Sequence, residues 1–323
     1  MCTATNYTAK DHYFGRNLDL EFSYNESVTI TPRNFVLPFR TVDDLRTHHA
    51  IVGMTTVADG YPLYYDATNE KGLSMAGLNF PDNADYKPET EGKDNITPFE
   101  FIPWILGQFE TVAQVREALD RLVLVDIPFS PQFPLSPLHW IVSDREESLT
   151  VESVADGLRV YDNPLGVLTN NPTFDIQMFN LNNYASLSPS QPETHFSKKL
   201  HFDTYSRGLG GIGMPGDLSS MSRFVKAAFT AVNSVSGESE SEAISQFFHI
   251  LGSVAQQRGC VEVGDRYEIT IYSSCCNTDT GVYYYTTYEN SQVTAVDMHK
   301  VDLDGDTLSS YPLVTGQHIL AQN

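Results

Sequence analysis

Apolar and polar positions alternate through the first third of the chain. "CTATNY" and "HYFGRNLDL" alternate around "TAKD", which predicts a hairpin turning near Lys10 and Asp11. "SVTITPRNF" reads as a third strand, and "PLYYDATNEKGLSMAGLNF" as a second hairpin with its turn at "NEKG". The apolar spacing then lengthens towards 3.6. "TPFEFIPWILGQFETVAQVREALDRLVLV" predicts helix, with Thr97 and Thr111 as N-caps. Strands return in "LHWIVSDREESLTVESVADGLRVYDNPLGVLTNN", punctuated at "DRE" and "ADG". "PGDLSSMSRFVKAAFTAVNSV" is amphipathic, with Phe224, Val225, Ala228, Phe229 and Val232 on one face, and "SEAISQFFHILGSVAQ" is another helix. The stretch from "RYEITIYSSCCN" to "VTAVDM" reads as a meander of three strands.

Strands therefore fall in two large blocks, each followed by helices. Short turns join them, so their pairing is antiparallel, which disfavours a doubly wound parallel sheet. The expected fold class is α+β, a four-layer αββα sandwich of two antiparallel sheets covered by helices, with residues 1–323 forming a single domain.

Charge narrows the partners. The 323 residues carry 20 basic and 41 acidic side chains, a net charge of −21. Nucleic acid and anionic membrane both require basic patches, so neither is expected as a partner. No apolar run approaches the ~20 residues of a membrane span, and the start lacks a secretion signal, so a cytoplasmic location is expected. Cys260, Cys275 and Cys276 are expected to be ordinary buried thiols, the adjacent pair facing opposite sides of a strand. "DLDGDT" has its glycine out of place for a calcium loop, and "GLGGIGMPGD" lacks the lysine of a phosphate loop. His48 and His49 have no second ligand pair nearby. No metal or cofactor is expected.

The fourth cysteine is Cys2. Its small side chain permits removal of Met1, which would leave a thiol and a free α-amino group on one residue. A thiol near pKa ~8.5 and an α-amino group near ~7.7–8.0 make a nucleophile and its base. Arg16 and Asp19 lie one hairpin away. An arginine there favours a thiolate, and a carboxylate could accept from the amine or the thiol. In a regular strand the two face opposite sides, so both approach Cys2 only if the strand bulges or ends near Asn17 and Leu18. Asn79 and Asn170 stand next to turns and could donate to a developing oxyanion. Arg223 opens the amphipathic helix behind apparent capping serines.

"MCTATNYTAKDHYFGRNLDLEFSYNESVTITPRNF" resembles the opening of the choloylglycine hydrolase family, whose members include bile salt hydrolases and penicillin V acylases. The resemblance continues through "YPLYYDATNEKGLSMAGLNF", "PFEFIPWILGQ", "GVLTNNPTFDIQ", "GGIGMPGDLSSMSRFVKAAF" and "YEITIYSSCCN", in order and over nearly the whole chain. It implies an N-terminal-nucleophile hydrolase fold, Cys2 as nucleophile, Arg16 and Asp19 as the residues that orient and polarise it, and Asn79, Asn170 and Arg223 as the remainder of the catalytic set. Asparagine at position 79, where penicillin acylases of the family often carry tyrosine, favours the bile salt branch. The implied reaction is hydrolysis of the amide of glycine- or taurine-conjugated bile salts. Leu20, Phe22, Tyr24, Tyr65, Phe129 and Phe133 lie near these motifs and could supply the apolar surface for a steroid. The resemblance also implies a homotetramer, with 182–211 as the segment that embraces a neighbour.

Overall fold

A computed structural model describes all 323 residues. The chain opens with β1 (Cys2–Thr8), β2 (His12–Leu20), β3 (Ser27–Thr31), β4 (Ile51–Ala58), β5 (Tyr61–Asn69) and β6 (Ser74–Asn79). A short β7 (Asp94–Ile96) precedes α1 (Phe101–Gln108) and α2 (Val112–Leu119), and β8 (Leu122–Leu124) returns parallel to β7. Then come β9 (Leu138–Ser143), β10 (Ser148–Val154), β11 (Gly157–Asp162) and β12 (Val167–Leu168). Helices α3 (Phe174–Asn180), α4 (Ser220–Asn233) and α5 (Glu240–Gly252) follow. The ribbon β13 (Glu262–Val263) and β14 (Arg266–Tyr267) leads into the meander β15 (Ile269–Asn277), β16 (Val282–Thr287) and β17 (Asn290–Asp297), and β18 (Ser309–Pro312) is the last strand.

Two antiparallel sheets result. The smaller has the order β12-β1-β2-β15-β16-β17, and the larger β11-β10-β9-β6-β5-β4-β3-β18. Every residue of β2 except its last is buried, and so is every residue of β10, so each sheet must be covered on both faces. Phe14, Leu18 and Tyr272 of one sheet meet Val28, Met54 and Leu78 of the other between the sheets. Helices α1 and α2 cover the outer face of the larger sheet, where Ile105 and Val115 join Ile51, Met75 and Trp140. Helix α5 covers the smaller sheet by setting Phe247 and Leu251 against Tyr7, Tyr13 and Cys275. These four layers are the αββα sandwich that the strand blocks implied.

Several local expectations change. The interior strand β4, "IVGMTTVA", escapes the sequence reading, as does the edge strand β18. "LVL" at the end of the presumed second helix is strand β8. Thr111 caps α2 with a full capping box, but Thr97 caps nothing. Helix α1 starts later, after Glu100, whose carboxylate accepts the Thr97 backbone N–H at 3.2 Å. Ser219 precedes α4 without a side-chain cap bond. Val232 is exposed because the last turn of α4 runs past the surface it packs on. Cys275 and Cys276 do point to opposite faces, one into the α5 cluster and one between the sheets. Cys260 is exposed, because it sits in the loop before β13 rather than in a strand.

Candidate active site

Register places the site. In the β1–β2 pair Cys2 lies opposite Leu18 and Ala4 opposite Arg16. The even positions of β2 face the second sheet, so Arg16 reaches across the sandwich. Its Nη1 donates to the Tyr65 carbonyl at 2.9 Å and to the Gly77 carbonyl at 2.5 Å. Beside it, Gly15 leaves room for the close approach of β15. A Cβ there would lie 2.0 Å from the Ser274 carbonyl oxygen. That approach lets Ser274 Oγ accept the Arg16 N–H at 3.0 Å.

Asp19 lies on the opposite face of β2 and accepts from Thr270 Oγ1 at 2.6 Å. β2 neither bulges nor stops near Asn17 and Leu18, as both residues' approach to Cys2 seemed to require. The irregularity is in the partner strand, where β15 shifts register between Thr270 and Tyr272. Arg16 and Asp19 therefore flank Cys2 from two faces of one sheet.

The main chain of Cys2 is clamped. Asn170, just past β12, accepts the Cys2 backbone N–H on Oδ1 at 2.8 Å, and its Nδ2 donates to the Asn79 carbonyl at 2.7 Å. Arg223, in the first turn of α4, donates through Nη1 to the Cys2 carbonyl at 2.5 Å and to Thr3 Oγ1 at 2.7 Å. Its Nη2 donates to Asn170 Oδ1 at 2.7 Å. Ser220 anchors the far side by accepting the Asn170 N–H at 2.8 Å. Ser220 thus fixes the loop that carries Asn170, and Ser219 bonds Ser222 instead of capping the helix.

Burial and charge oppose one another here. Burial works against the Arg16 cation, but the Cys2 sulfur, Tyr272, Asp66 and Asp19 around it outweigh that and hold its pKa upward. Burial lowers the pKa of Arg223 despite Asp19 and Cys2. Burial also raises that of Asp19, against the pull of Arg223 and the chain's terminal ammonium. With Met1 in place, that ammonium donates to the Asp19 carbonyl at 2.8 Å and contacts the Glu268 carboxylate.

Cys2 and Arg16 open on a cavity of about 360 Å³, with 14 hydrophobic residues among its 23 wall residues. That size and lining suit a compact apolar ligand with a few polar anchors. Leu20, Tyr24, Tyr65, Phe129 and Phe133 line it, as does Asn79. Phe22 does not. It faces a neighbouring groove with Arg258 and Tyr288, and its ring lies 4.8 Å from that of Tyr24. β2 has ended at Leu20, and in the following loop Glu21, Phe22 and Ser23 line the neighbouring groove while Tyr24 turns back to the cavity. Asp19 and Arg223 lie behind the Cys2 backbone, whereas Asn170 sits at the edge of the cavity, bonded to two of its wall residues, Cys2 and Asn79. Sequence reasoning missed Leu18, Phe99, Ile102 and Leu135 in the wall. The density of Pro and Phe in "PFSPQFPLSPLHW" was the available signal for the last of these. It also missed Glu268, which carries no motif.

Elsewhere, a cleft of about 350 Å³ around His12 and Asn163 is walled by polar and charged side chains apart from Pro164 and Gly166, so it does not suit an apolar ligand. No cluster of three or more His, Cys, Asp or Glu side chains is arranged to hold a metal ion. No helix is long and apolar enough to cross a membrane.

Residues 2–311 match the profile described as linear amide C–N hydrolases, choloylglycine hydrolase family. Over the full length of both chains the protein is 60% identical to a bile salt hydrolase/transferase of Lactiplantibacillus plantarum. It is 42% identical to one from Clostridium perfringens, over 96% of each chain. A crystal structure of a mutant conjugated bile acid hydrolase from Clostridium perfringens superposes with a TM-score of 0.92 at 39% identity, covering both chains completely. A penicillin V acylase from Agrobacterium tumefaciens shares the fold, with a TM-score of 0.73 at 21% identity over 96% of this chain and 90% of its own. The clamped cysteine at position 2, the αββα layers and a profile match spanning almost every residue lead to one conclusion: this chain belongs to the choloylglycine hydrolase family of linear amide C–N hydrolases.

Proposed function

We propose that this protein hydrolyses the amide bond joining a bile acid to glycine or taurine, with processed Cys2 as the nucleophile. The observation that carries this reading is a single juxtaposition. A cysteine whose backbone is held by Asn170 and Arg223 opens, beside a buried arginine, on a cavity walled mainly by apolar side chains. The relatives named for bile salts and conjugated bile acids support the substrate class.

Removal of Met1 exposes the amine of Cys2. The thiol proton passes to that amine as sulfur bonds to the amide carbonyl. Asn79 and Asn170 are the donors for the oxyanion, and Arg16 places a positive charge beside the sulfur. As the C–N bond breaks, the ammonium returns its proton to the departing nitrogen, and glycine or taurine leaves. Water then opens the thioester under the same amine. Two moderate barriers replace one high one. Arg223 and Asp19 hold the geometry from behind the backbone. The steroid supplies binding through apolar contact at ~25 cal/mol per Å² buried. Leu20, Tyr24, Tyr65, Phe129 and Phe133 are the surfaces we assign to it, with Phe22 at the rim through Tyr24.

We take residues 1–323 as one catalytic domain that works in the cytoplasm as a homotetramer. Support for the assembly comes from 182–211, where Phe196, Leu200, Phe202 and Tyr205 are all exposed. Turnover of glycocholate, taurocholate and penicillin V by wild type and Cys2→Ala, with intact masses, tests the reading. We expect bile salt turnover in processed wild type and none in Cys2→Ala. Penicillin V turned over far faster than either bile salt would move the assignment to the acylase branch, and a retained Met1 in the active protein would overturn it.

A further inference from the structure

Glu268 precedes β15 and its side chain is only 6% exposed, yet it carries no part in the reaction as described. Its partner is the terminal ammonium, the one cation it contacts. Removal of Met1 takes that cation away. It also removes the acceptor of the Asp19 N–H, which donates to the Met1 carbonyl at 3.0 Å. A buried carboxylate left without a partner is costly, so it draws the nearest available positive charge. Neither guanidinium is free to move to it. Arg16 is committed to the Tyr65 and Gly77 carbonyls, and Arg223 to Cys2, Thr3 and Asn170. The cation within reach is the new amine of Cys2, one residue along a chain whose Cα atoms are ~3.8 Å apart.

We propose that Glu268 is a positioning residue for the amino group of processed Cys2. Its carboxylate, directly or through a water in the place of the Met1 amine, holds the ammonium formed when the amine takes the thiol proton. This rests on the function proposed above. It adds a second carboxylate on the Asp19 side of the amine. There, Asp19 Oδ1 is engaged by Thr270 and Oδ2 is buried without a partner, so Oδ2 is open to the same amine. The charged and titratable groups around the amine are Asp19 and Arg16 from β2, Arg223 from α4, Glu268 ahead of β15, and the Cys2 thiol. Two anions balance two cations, so removing one anion leaves the ammonium in a net positive setting.

The sign follows. A carboxylate beside an ammonium favours its protonated form, and the amine works as a base only when unprotonated. Glu268→Gln should move the acid limb of the kcat/KM profile for glycocholate down by about one pH unit. That is about a tenfold gain in relative rate well below the limb, with KM unchanged. Glu268→Asp withdraws the charge by one methylene and should move the limb by a smaller step in the same direction. It serves as the reading if the Gln variant fails to fold. A limb that stays with wild type in either variant overturns the assignment, as do equal shifts in both. Hydrolysis that survives Cys2→Ala sinks the function itself. Cys2-dependent hydrolysis with an unmoved limb sinks only the role of Glu268.

Discussion

His12 shows how one residue couples burial to pH. It opens β2, and its Nδ1 lies 2.7 Å from Thr8 Oγ1 while Nε2 is buried without a partner. Burial and then Arg145 lower its pKa from 6.5 to about 4, against Asp279 and Asp144. A folded-state value below the unfolded one contributes stability above pH 6.5, which is lost as pH falls towards 4. The expected loss is up to about 3 kcal/mol over that window. Urea unfolding at both ends of it should show a steeper loss for wild type than for His12→Gln. Carboxylate titration is common to the two proteins, so parallel slopes would refute the contribution. The proposed catalytic set has a different legibility. Cys2, Arg16 and Asp19 are each ordinary alone, and their roles were readable only through the resemblance of the surrounding motifs to the family. The alternation of β2 even predicted that Arg16 and Asp19 face apart. Nothing in the sequence said that the bulge bringing Asp19 to Thr270 would lie in β15, some 250 residues later, since register between distant strands leaves no local trace. Glu268 was invisible for the same reason, because its role depends on which strand end it is folded beside.

At the scale of elements, patterns with a strong period or a capping residue were readable, and those set by tertiary contact were not. Both N-terminal hairpins, the meander and α5 stand where alternation and spacing put them. β4 escaped because Gly53 and two threonines interrupt its apolar run, although it pairs on both sides within the larger sheet. A Cβ on Gly53 would lie 2.3 Å from the Asp66 carbonyl oxygen, so its neighbour's proximity and not propensity selects that residue. Thr111 and Thr97 looked alike in sequence. Each is followed three residues later by a side chain that accepts its N–H, Glu100 or Gln114, but only Thr111 Oγ1 completes the box by accepting the Gln114 N–H, whereas Thr97 Oγ1 is buried without a partner. Thr111→Ala should cost about 1 kcal/mol of stability in urea unfolding. Helix α2 lies on the outer face of the larger sheet, so kcat/KM should stay at its wild-type value. A change in activity without a change in stability would mean that α2 reaches the site.

At the scale of the whole molecule, −21 charges face an anionic substrate, and the Debye length of about 8 Å at physiological salt confines that repulsion to close range. Inside the cavity Arg16 then decides the local sign. The same charge keeps separate chains apart, so an assembly needs a specific apolar surface to hold it. Residues 182–211 provide the candidate. The base of the segment is tied, with Ser188 N–H donating to the Gly210 carbonyl at 3.0 Å. A Cβ on Gly210 would fall 2.0 Å from the Ser190 carbonyl oxygen. Beyond that closed neck Phe196 is 83% and Tyr205 86% exposed, so neither ring is buried by its own chain. Large aromatic side chains left in water at the tip of a tied segment gain most by entering a neighbour. Replacing Phe196 and Tyr205 together by serine should therefore shift the sedimentation of the protein from the proposed tetramer to smaller species at micromolar concentration. The unfolding midpoint of the dissociated chain and its kcat/KM for glycocholate should change little, because these rings contribute neither to the core nor to the cavity wall. A variant that remains tetrameric would place the interface elsewhere, and a wild type that sediments as a monomer would remove the reason for the segment's exposed rings.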